Sequence, residues 1–231
     1  MGLVRMGAPS SLIVKLRDSL GAKVFIEAGT YHGGTATWAA SHFEQVVTIE
    51  NSQSFYEKTS ELYKDIGNIH FIFGDTRNHF KEIVPTLQQP AIIWLDSHWC
   101  GGESYGESDQ CPLLEELRII NSSSIEHAIL IDDARLFCAP PPSPNVPKFW
   151  PTIDKVIGAI QSNAFDRYII IQKDVIIAVP ESQREEIEKL CQKVATEEWI
   201  AYGEQLKQKQ KMSAKSKFKR LIRELLFGRS L

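Results

Sequence analysis

The chain has 231 residues, of which 43% are hydrophobic and 24% are charged, and this is the composition of an ordinary globular protein. No apolar run reaches the roughly 18 to 20 residues of a membrane-spanning helix, and residues 1–5 lack the apolar core of a secretory signal, so we expect a cytoplasmic protein. The net charge of −3 is unevenly divided, because residues 205–231 carry nine Lys or Arg and one Glu. The acidic remainder argues against a protein that binds nucleic acid over a broad surface.

The first predicted element is a helix, and strands then alternate with helices. Ser10 and Ser11 are suitable N-caps for an amphipathic helix that Gly21 ends. Five short apolar runs follow, separated by helical patterns: 24–28, 46–50, 69–73, 91–95 and 128–131. Continuous apolar strands with helices between them are typical of a parallel sheet that is covered on both faces.

Two more β-rich runs, 167–172 and 175–179, are separated by the turn residues Lys173 and Asp174 and predict an antiparallel hairpin at one edge of the sheet. The predicted fold class is therefore α/β, with a doubly wound, mostly parallel sheet of seven strands. Six prolines between residues 136 and 151 predict a stiff loop beyond the fifth strand. This loop would either form one wall of a ligand pocket or serve as a solvated linker.

We predict a core domain at residues 1–180 and a helical extension at 181–231. The extension starts as a long polar helix, continues as a broken basic stretch at 207–217, and ends with apolar residues on one helical face among Lys and Arg. The apolar residues are Phe218, Leu221, Ile222, Leu225 and Leu226. This pattern is typical of a helix at a membrane surface, so residues 205–231 are candidates for peripheral membrane contact. A docked or dimer-forming helix and a flexible tail are the alternatives, and the oligomeric state stays open.

The first strand leads into a glycine-rich loop at residues 27–35, with the sequence EAGTYHGGT. Glycines at a strand-to-helix crossing allow the backbone to approach a ligand closely. The loop lacks the third glycine of the dinucleotide fingerprint and the Lys-Ser/Thr pair of a P-loop, which disfavours both NAD and ATP. A tight turn without a ligand is the alternative interpretation.

Carboxylates are found at the ends of three consecutive strands: Glu27, Glu50 and Asp75. Glu50 follows Gly29 by 21 residues and is placed to accept hydrogen bonds from both hydroxyls of a ribose. Together these motifs, over about residues 20–180, resemble those of the class I S-adenosylmethionine-dependent methyltransferases. The acidic strand ends also suit the charges of that cofactor, which carries a sulfonium and an amino group and no phosphate.

The resemblance implies an S-adenosylmethionine site at the carboxyl edge of the sheet. It implies that the glycine loop lies under the methionine part, that Glu50 binds the ribose, and that Asp75 and Thr76 lie near the adenine. The residues expected to contact the cofactor are Glu27, Gly29, Thr30, Tyr31, Gly33, Thr35, Glu50, Asp75, Thr76 and Asp96.

Three acids follow the fourth and fifth predicted strands: Asp96, Asp132 and Asp133. These strands are neighbours in a doubly wound sheet, so the three carboxylates should converge at one edge. Converging carboxylates repel one another unless a cation joins them, and oxygen ligands are those that Mg²⁺ prefers. A magnesium site is therefore predicted, with helix capping by one of the paired aspartates as the alternative.

This arrangement resembles the metal-dependent O-methyltransferases of the catechol type and, more closely, the sugar O-methyltransferases of macrolide (macrocin) and aminocoumarin biosynthesis. The resemblance implies that Asp96, Asp132 and Asp133 hold the metal, although the 36 residues that separate Asp96 from Asp132 depart from the family pattern.

His98 suits a general base that removes the proton of a substrate hydroxyl, with Asp96 beside it as the second catalytic residue. A hydrogen-bonded pocket residue is the alternative for His98, and a zinc site with Cys100 and Cys111 lacks an obvious fourth ligand.

The loop after the fourth strand is rich in glycine, acids and amides, and Trp99, Glu103 and Tyr105 offer a stacking face and hydroxyl partners that suit a sugar. The leading hypothesis is an S-adenosylmethionine- and Mg²⁺-dependent O-methyltransferase acting on a hydroxyl of a sugar or glycan, as in polysaccharide biosynthesis. A phenolic or other small-molecule acceptor, and a non-catalytic binding module with the same fold, are the alternatives. No Asn/Asp-Pro-Pro-Tyr motif follows the fourth strand, which further disfavours a nucleic-acid substrate.

Overall fold

A computed structural model describes residues 7–99, 101, 106–162 and 164–227, without the side chains of residues 213–227. The chain forms two compact units, of which the first ends at Arg184 and the second begins at Glu185.

Over the described residues, the first unit contains seven helices and seven strands, which alternate as far as α6 and are followed by α7, β6 and β7. The helices are α1 Ser10–Leu20, α2 Gly34–Ala40, α3 Gln53–Leu62, α4 Thr76–Ile83, α5 Leu113–Ile120, α6 Ala134–Cys138 and α7 Ile153–Gln161. The strands are β1 Val24–Ala28, β2 Gln45–Glu50, β3 Ile69–Phe73, β4 Ala91–Leu95, β5 Ala128–Ile131, β6 Arg167–Gln172 and β7 Val175–Pro180. Helix α8 covers Arg184–Phe227. All of this helix except Arg184 belongs to the second unit.

The seven strands form one sheet in the order β3-β2-β1-β4-β5-β7-β6. Strands β1 to β5 are parallel, whereas β7 pairs antiparallel with both β5 and β6. The α/β fold class, the seven strands and the terminal hairpin predicted from the sequence are therefore confirmed. All side chains of β4, β5 and β7 are buried, which explains why their sequences are continuously apolar rather than alternating.

Helix α1 ends as predicted but begins differently. Gly21 adopts a left-handed conformation and Ala22 donates its backbone N–H to the Arg17 carbonyl, which closes the last turn. The serine cap is wrong, because Pro9 is the N-cap residue and no side chain caps this helix end.

Two predictions about the loops and the tail are also corrected. The segment 136–151 is not entirely loop, since α6 continues to Cys138 and a short 3-10 turn covers Pro147–Phe149. Helix α6 ends before the first proline of the segment, at Pro140, so the prolines do not interrupt it. The predicted break at 207–217 is wrong because α8 is continuous there, and these residues include neither Gly nor Pro and are mainly good helix formers.

The apolar residues that suggested a membrane-surface helix, from Phe218 to Leu226, lie outside the described side chains. Among the described residues, no helix has both the length and the hydrophobicity needed to cross a membrane.

Candidate active site

A cavity of about 420 Å³ opens at the carboxyl ends of the parallel strands, where doubly wound sheets bind their ligands. Nine of the predicted site residues line it: Gly29, Tyr31, Glu50, Asp75, Thr76, Asp96, His98, Asp132 and Asp133. Glu27, Thr30, Gly33 and Thr35 are not among its described lining residues. The predicted cofactor-binding acids other than Glu27 thus lie at the same cavity as the predicted metal-binding acids.

Gly29 and Gly33 are required by close packing. Gly29 has φ +93°, and a Cβ atom at this position would overlap the backbone carbonyl of Asp96. Gly33 has φ +73°, and a Cβ atom there would lie 2.7 Å from Cγ2 of Thr59. Glycine at position 29 therefore lets the loop pass close to the end of β4, and glycine at position 33 lets it pass close to α3.

Glu27 lies beneath this loop and is almost fully buried. Its carboxylate accepts a hydrogen bond of 2.6 Å from the Thr48 hydroxyl, which in turn lies 2.6 Å from the Thr30 hydroxyl. Burial raises the pKa of Glu27 to about 8; the hydrogen bonds from Thr48 and Thr35 oppose this shift, and the negative charge of Asp96 adds to it. Glu27, Thr48 and Thr30 thus form a buried polar network next to the loop, and half-buried Thr35 donates to Glu27 as well.

Glu50 is held in place by two backbone donors. The amide of Tyr31 donates to Oε2 and the amide of Ser52 donates to Oε1, both at 2.8 Å. Each carboxylate oxygen keeps a second lone pair, so Glu50 can still accept two hydrogen bonds from a ligand in the cavity. The Tyr31 side chain is 52% exposed, and its ring lies 4.8 Å from that of Phe55, another cavity residue that the sequence analysis missed.

Asp75 is the N-cap of α4 and also binds the guanidinium of Arg77. It accepts a 2.9 Å hydrogen bond from the Arg77 amide and pairs with Nη2 of Arg77 at 2.6 Å. The hydrogen bond and charge of Arg77 hold the pKa of this carboxyl below its usual range. Both oxygens of Asp75 therefore already accept hydrogen bonds from Arg77, and a ligand would compete with this arginine for them. Arg77 also pairs with Asp109 at 2.7 Å. Arg77 was not predicted to belong to the site, because arginines are usually exposed and this one is part of no motif.

His98 lies between two of the predicted metal-binding acids. Its Nε2 atom is 2.7 Å from Oδ2 of Asp133 and 3.4 Å from Oδ1 of Asp96, and its ring packs 5.3 Å from that of Trp150. Burial alone would lower the pKa of His98, but the hydrogen bond to Asp133 and the charge of Asp96 raise it. Burial raises the pKa of Asp96 to about 7; the charge of His98 opposes this shift, and the charge of Asp132 adds to it.

A second cation, Arg135, lies on the other side of Asp133. Its Nη1 atom is 2.6 Å from Oδ1 of Asp133 and also pairs with Asp174, which comes from the turn between β6 and β7. Among the described residues, the carboxylates close enough to share one ion are Asp132, Asp133 and Asp174, and Asp96 is not in this group. Asp133 is the N-cap residue of α6 without a capping side-chain hydrogen bond, so its side chain does not serve as a helix cap.

The predicted trio, Asp96, Asp132 and Asp133, offers carboxylate oxygens, which are the ligands that Mg²⁺ prefers. All three residues line the same cavity. Their negative charge is partly balanced by His98 and Arg135. The donor set therefore fits a divalent cation in chemical type, and the sequence analysis missed Asp174 and Arg135 beside it.

The proline-rich segment forms part of this half of the site through Trp150. Gln110, which is 1% exposed, accepts hydrogen bonds on Oε1 from the Val146 amide at 2.8 Å and from Nε1 of Trp150 at 3.1 Å. Trp150 of this segment is therefore a wall beside His98, whereas most of the segment is exposed and none of it is among the described residues that line the cavity. Trp99 is buried, and its amide donates to the Gln110 carbonyl. It is not among the described residues that line the cavity. Three residues named in the predictions, Cys100, Glu103 and Tyr105, lie outside the described residues.

No protein-family model matches the sequence, and no significant match is found among curated proteins. Several solved structures do match. An O-methyltransferase from Bacillus cereus, in complex with S-adenosylhomocysteine, is 16% identical with a TM-score of 0.55 over 76% of this chain and 83% of that chain. A methyltransferase from Podospora anserina, also bound to S-adenosylhomocysteine, is 18% identical with a TM-score of 0.54 over 76% of this chain and 80% of that one.

A third structure is TomG, an O-methyltransferase from Streptomyces achromogenes involved in tomaymycin synthesis, in complex with S-adenosylmethionine. It is 16% identical, with a TM-score of 0.50 over 77% of this chain and 82% of that chain. At these identities the similarity concerns the fold. The chain has the Rossmann-like fold of the S-adenosylmethionine-dependent O-methyltransferases.

Proposed function

We propose that this protein is an S-adenosylmethionine-dependent O-methyltransferase. The observation that carries the proposal is the single cavity in which Glu50, held by two backbone amides, faces the same space as Asp96 and the His98–Asp133 pair. The part around Glu50 suits binding of a nucleoside cofactor and is called the cofactor half below. The part around Asp96, His98 and Asp133 suits removal of a proton from a hydroxyl and is called the acceptor half.

The charges of the cofactor half support a cationic ligand. After burial, the negative charges of Asp96 and Glu50 contribute to the raised pKa of Glu27, so this part of the site has a negative potential. A sulfonium and an amino group would reduce this negative potential, whereas a phosphate would add to it. Glu50 would accept hydrogen bonds from the two ribose hydroxyls on the lone pairs that Tyr31 and Ser52 leave free.

The proposed reaction is an in-line displacement at the methyl carbon. The acceptor oxygen forms a bond to this carbon while the carbon–sulfur bond breaks, so the sulfonium becomes the thioether of S-adenosylhomocysteine. Nε2–H of neutral His98 donates to Asp133, so Nδ1 would take up the hydroxyl proton, and Asp133 and Asp96 would stabilise the resulting imidazolium. Holding oxygen, carbon and sulfur in line supplies much of the rate advantage.

Mg²⁺ is part of this proposal: Asp132 and Asp133 lie close enough to share it, and Asp96, the third proposed ligand, lines the same cavity. When bound it would lower the pKa of the acceptor hydroxyl. The residues of this chain would still orient the acceptor and accept its proton.

We propose a sugar or glycan hydroxyl as the acceptor, supported by the acids, amides and rings around His98. A phenolic acceptor is the second candidate, favoured by the rings of exposed Tyr31 and half-buried Phe55 at the cavity. The test is release of S-adenosylhomocysteine from S-adenosylmethionine with panels of sugars, glycans and phenols. We expect turnover with members of one panel and its loss in Asp132→Asn; equal turnover in this variant would contradict the site.

We also propose peripheral membrane contact by residues 205–231, supported by the nine cations in this segment. The test is co-sedimentation with anionic and neutral vesicles, using the full chain and a variant in which Lys215, Lys217, Lys219 and Arg220 are changed to Gln. We expect the full chain to bind anionic vesicles more strongly than the variant does. Equal partitioning of the two proteins would contradict this proposal.

A further inference from the structure

Glu116 is a buried carboxylate for which the proposed reaction has no use. It lies on α5 and is 1% exposed. Its Oε1 atom accepts hydrogen bonds from two hydroxyls: that of Ser97, at 2.6 Å, and that of Thr76. Thr76 begins α4 after the third strand, and Ser97 follows the fourth strand, so one oxygen connects two strand ends that are not neighbours in the sheet.

Thr76 and Ser97 both line the cavity. A hydroxyl has one proton to donate and two lone pairs with which to accept. Because both protons are directed to Glu116, the Thr76 and Ser97 oxygens can act only as acceptors toward a ligand. Burial raises the pKa of Glu116, yet a proton on Oε2 would leave Oε1 as the acceptor for both hydroxyls.

We propose that Glu116 is a positioning residue that sets cofactor specificity: it fixes Thr76 and Ser97 as acceptors and thereby selects a base that presents N–H donors. This inference rests on the proposed function and concerns the adenine end of the same site. The 6-amino group of adenine offers two such donors. A base with a carbonyl at this position would face acceptor oxygens, and polar groups left unpaired in a buried site weaken binding strongly.

The test compares two ligands that differ at this group, S-adenosylhomocysteine and S-inosylhomocysteine, in which a carbonyl replaces the amine. Calorimetric titration gives the ratio of their dissociation constants for the wild type, Glu116→Gln and Glu116→Met. We expect the wild type to prefer the adenosyl ligand by about tenfold or more. Glu116→Gln should keep this ratio, because its amide oxygen can still accept from both hydroxyls. Glu116→Met should lower the ratio several-fold, because the freed hydroxyls can turn and donate to the carbonyl.

The outcomes separate this inference from the proposed function. If S-adenosylhomocysteine does not bind the wild type, the proposed function fails. If it binds and folded Glu116→Met keeps the wild-type ratio, the inference is overturned while the proposed function stands. Should Glu116→Met fail to fold, Thr76→Val and Ser97→Ala each remove one acceptor; a lower ratio in either supports the inference, and an unchanged ratio in both overturns it.

Discussion

The two halves of the cavity are held together in different ways. In the cofactor half, Glu50 is positioned by the backbone amides of Tyr31 and Ser52, within about 20 residues along the chain. In the acceptor half, His98 pairs with Asp133, which is 35 residues away, and Gln110 bonds to Trp150, which is 40 residues away. Backbone donors fix the carboxylate of Glu50 in the first half, whereas side chains from distant segments fix His98 and the wall beside it in the second. We therefore expect substitutions in the cofactor half to change cofactor affinity and those in the acceptor half to change turnover.

The largest expected effect is on turnover in His98→Ala. Loss of a general base typically lowers the rate by about 10² to 10⁴-fold, and we expect a loss in this range with cofactor affinity nearly unchanged. Release of S-adenosylhomocysteine and calorimetric titration measure the two quantities. His70→Ala, at an exposed histidine, is the control and should retain wild-type turnover. Wild-type turnover in His98→Ala would remove this histidine from the mechanism.

The next effect is on cofactor affinity in Glu50→Gln. Both carboxylate oxygens accept backbone N–H groups, so the amide NH₂ of glutamine must face one of these donors. We expect the dissociation constant for S-adenosylmethionine to rise about tenfold or more, because one buried hydrogen bond is lost and a ribose contact is weakened. Glu57→Gln is the exposed control. Unchanged affinity in Glu50→Gln would mean that the cofactor half does not bind a ribose through this residue.

A smaller effect is expected on acceptor binding in Gln110→Ala. This change removes the acceptor for the Val146 amide and for Nε1 of Trp150, so the wall beside His98 should loosen. We expect the KM for the acceptor to rise several-fold while cofactor affinity stays the same. Gln88→Ala, in the turn before β4, is the control. A change in cofactor affinity of similar size would show that the two halves are not independent.

The smallest effect concerns the pH dependence of stability. The pKa of Glu27 rises from 4.5 to about 8 in the folded protein, so the folded state retains a proton that the unfolded state releases. The free energy of unfolding should therefore fall as the pH rises from about 5 to 8, and more steeply than in Glu27→Gln. Denaturant titrations at several pH values would show a difference in this fall of about 1 kcal/mol or more. Parallel curves for the two proteins would contradict the buried, protonated carboxyl.

The features that were predictable from sequence are those that a short segment determines. The apolar strands, the glycine loop and the acids at the strand ends follow from residues next to one another, and the fold order places them at one edge. Even here some local details differed: Pro9 replaces the serines as the N-cap of α1, and α8 continues through 207–217.

The features that were missed depend on contacts between distant segments. Arg77 pairs with Asp75 and with Asp109 of the loop after β4, so a ligand would compete with Arg77 for Asp75. Arg135 joins Asp133 to Asp174 of the β6–β7 turn. An arginine in a sequence carries no sign of which carboxylate it will meet, so these pairs required the structure.

The most direct measurement is calorimetric titration of S-adenosylmethionine into the full chain, with Mg²⁺ and with a chelator, and with NAD as the control ligand. The account predicts binding of S-adenosylmethionine in both conditions and none of NAD, because the ribose-binding carboxylate and the acidic cluster belong to the protein itself. Failure of S-adenosylmethionine to bind in either condition would contradict the central claim, that this cavity is the cofactor site of a methyltransferase.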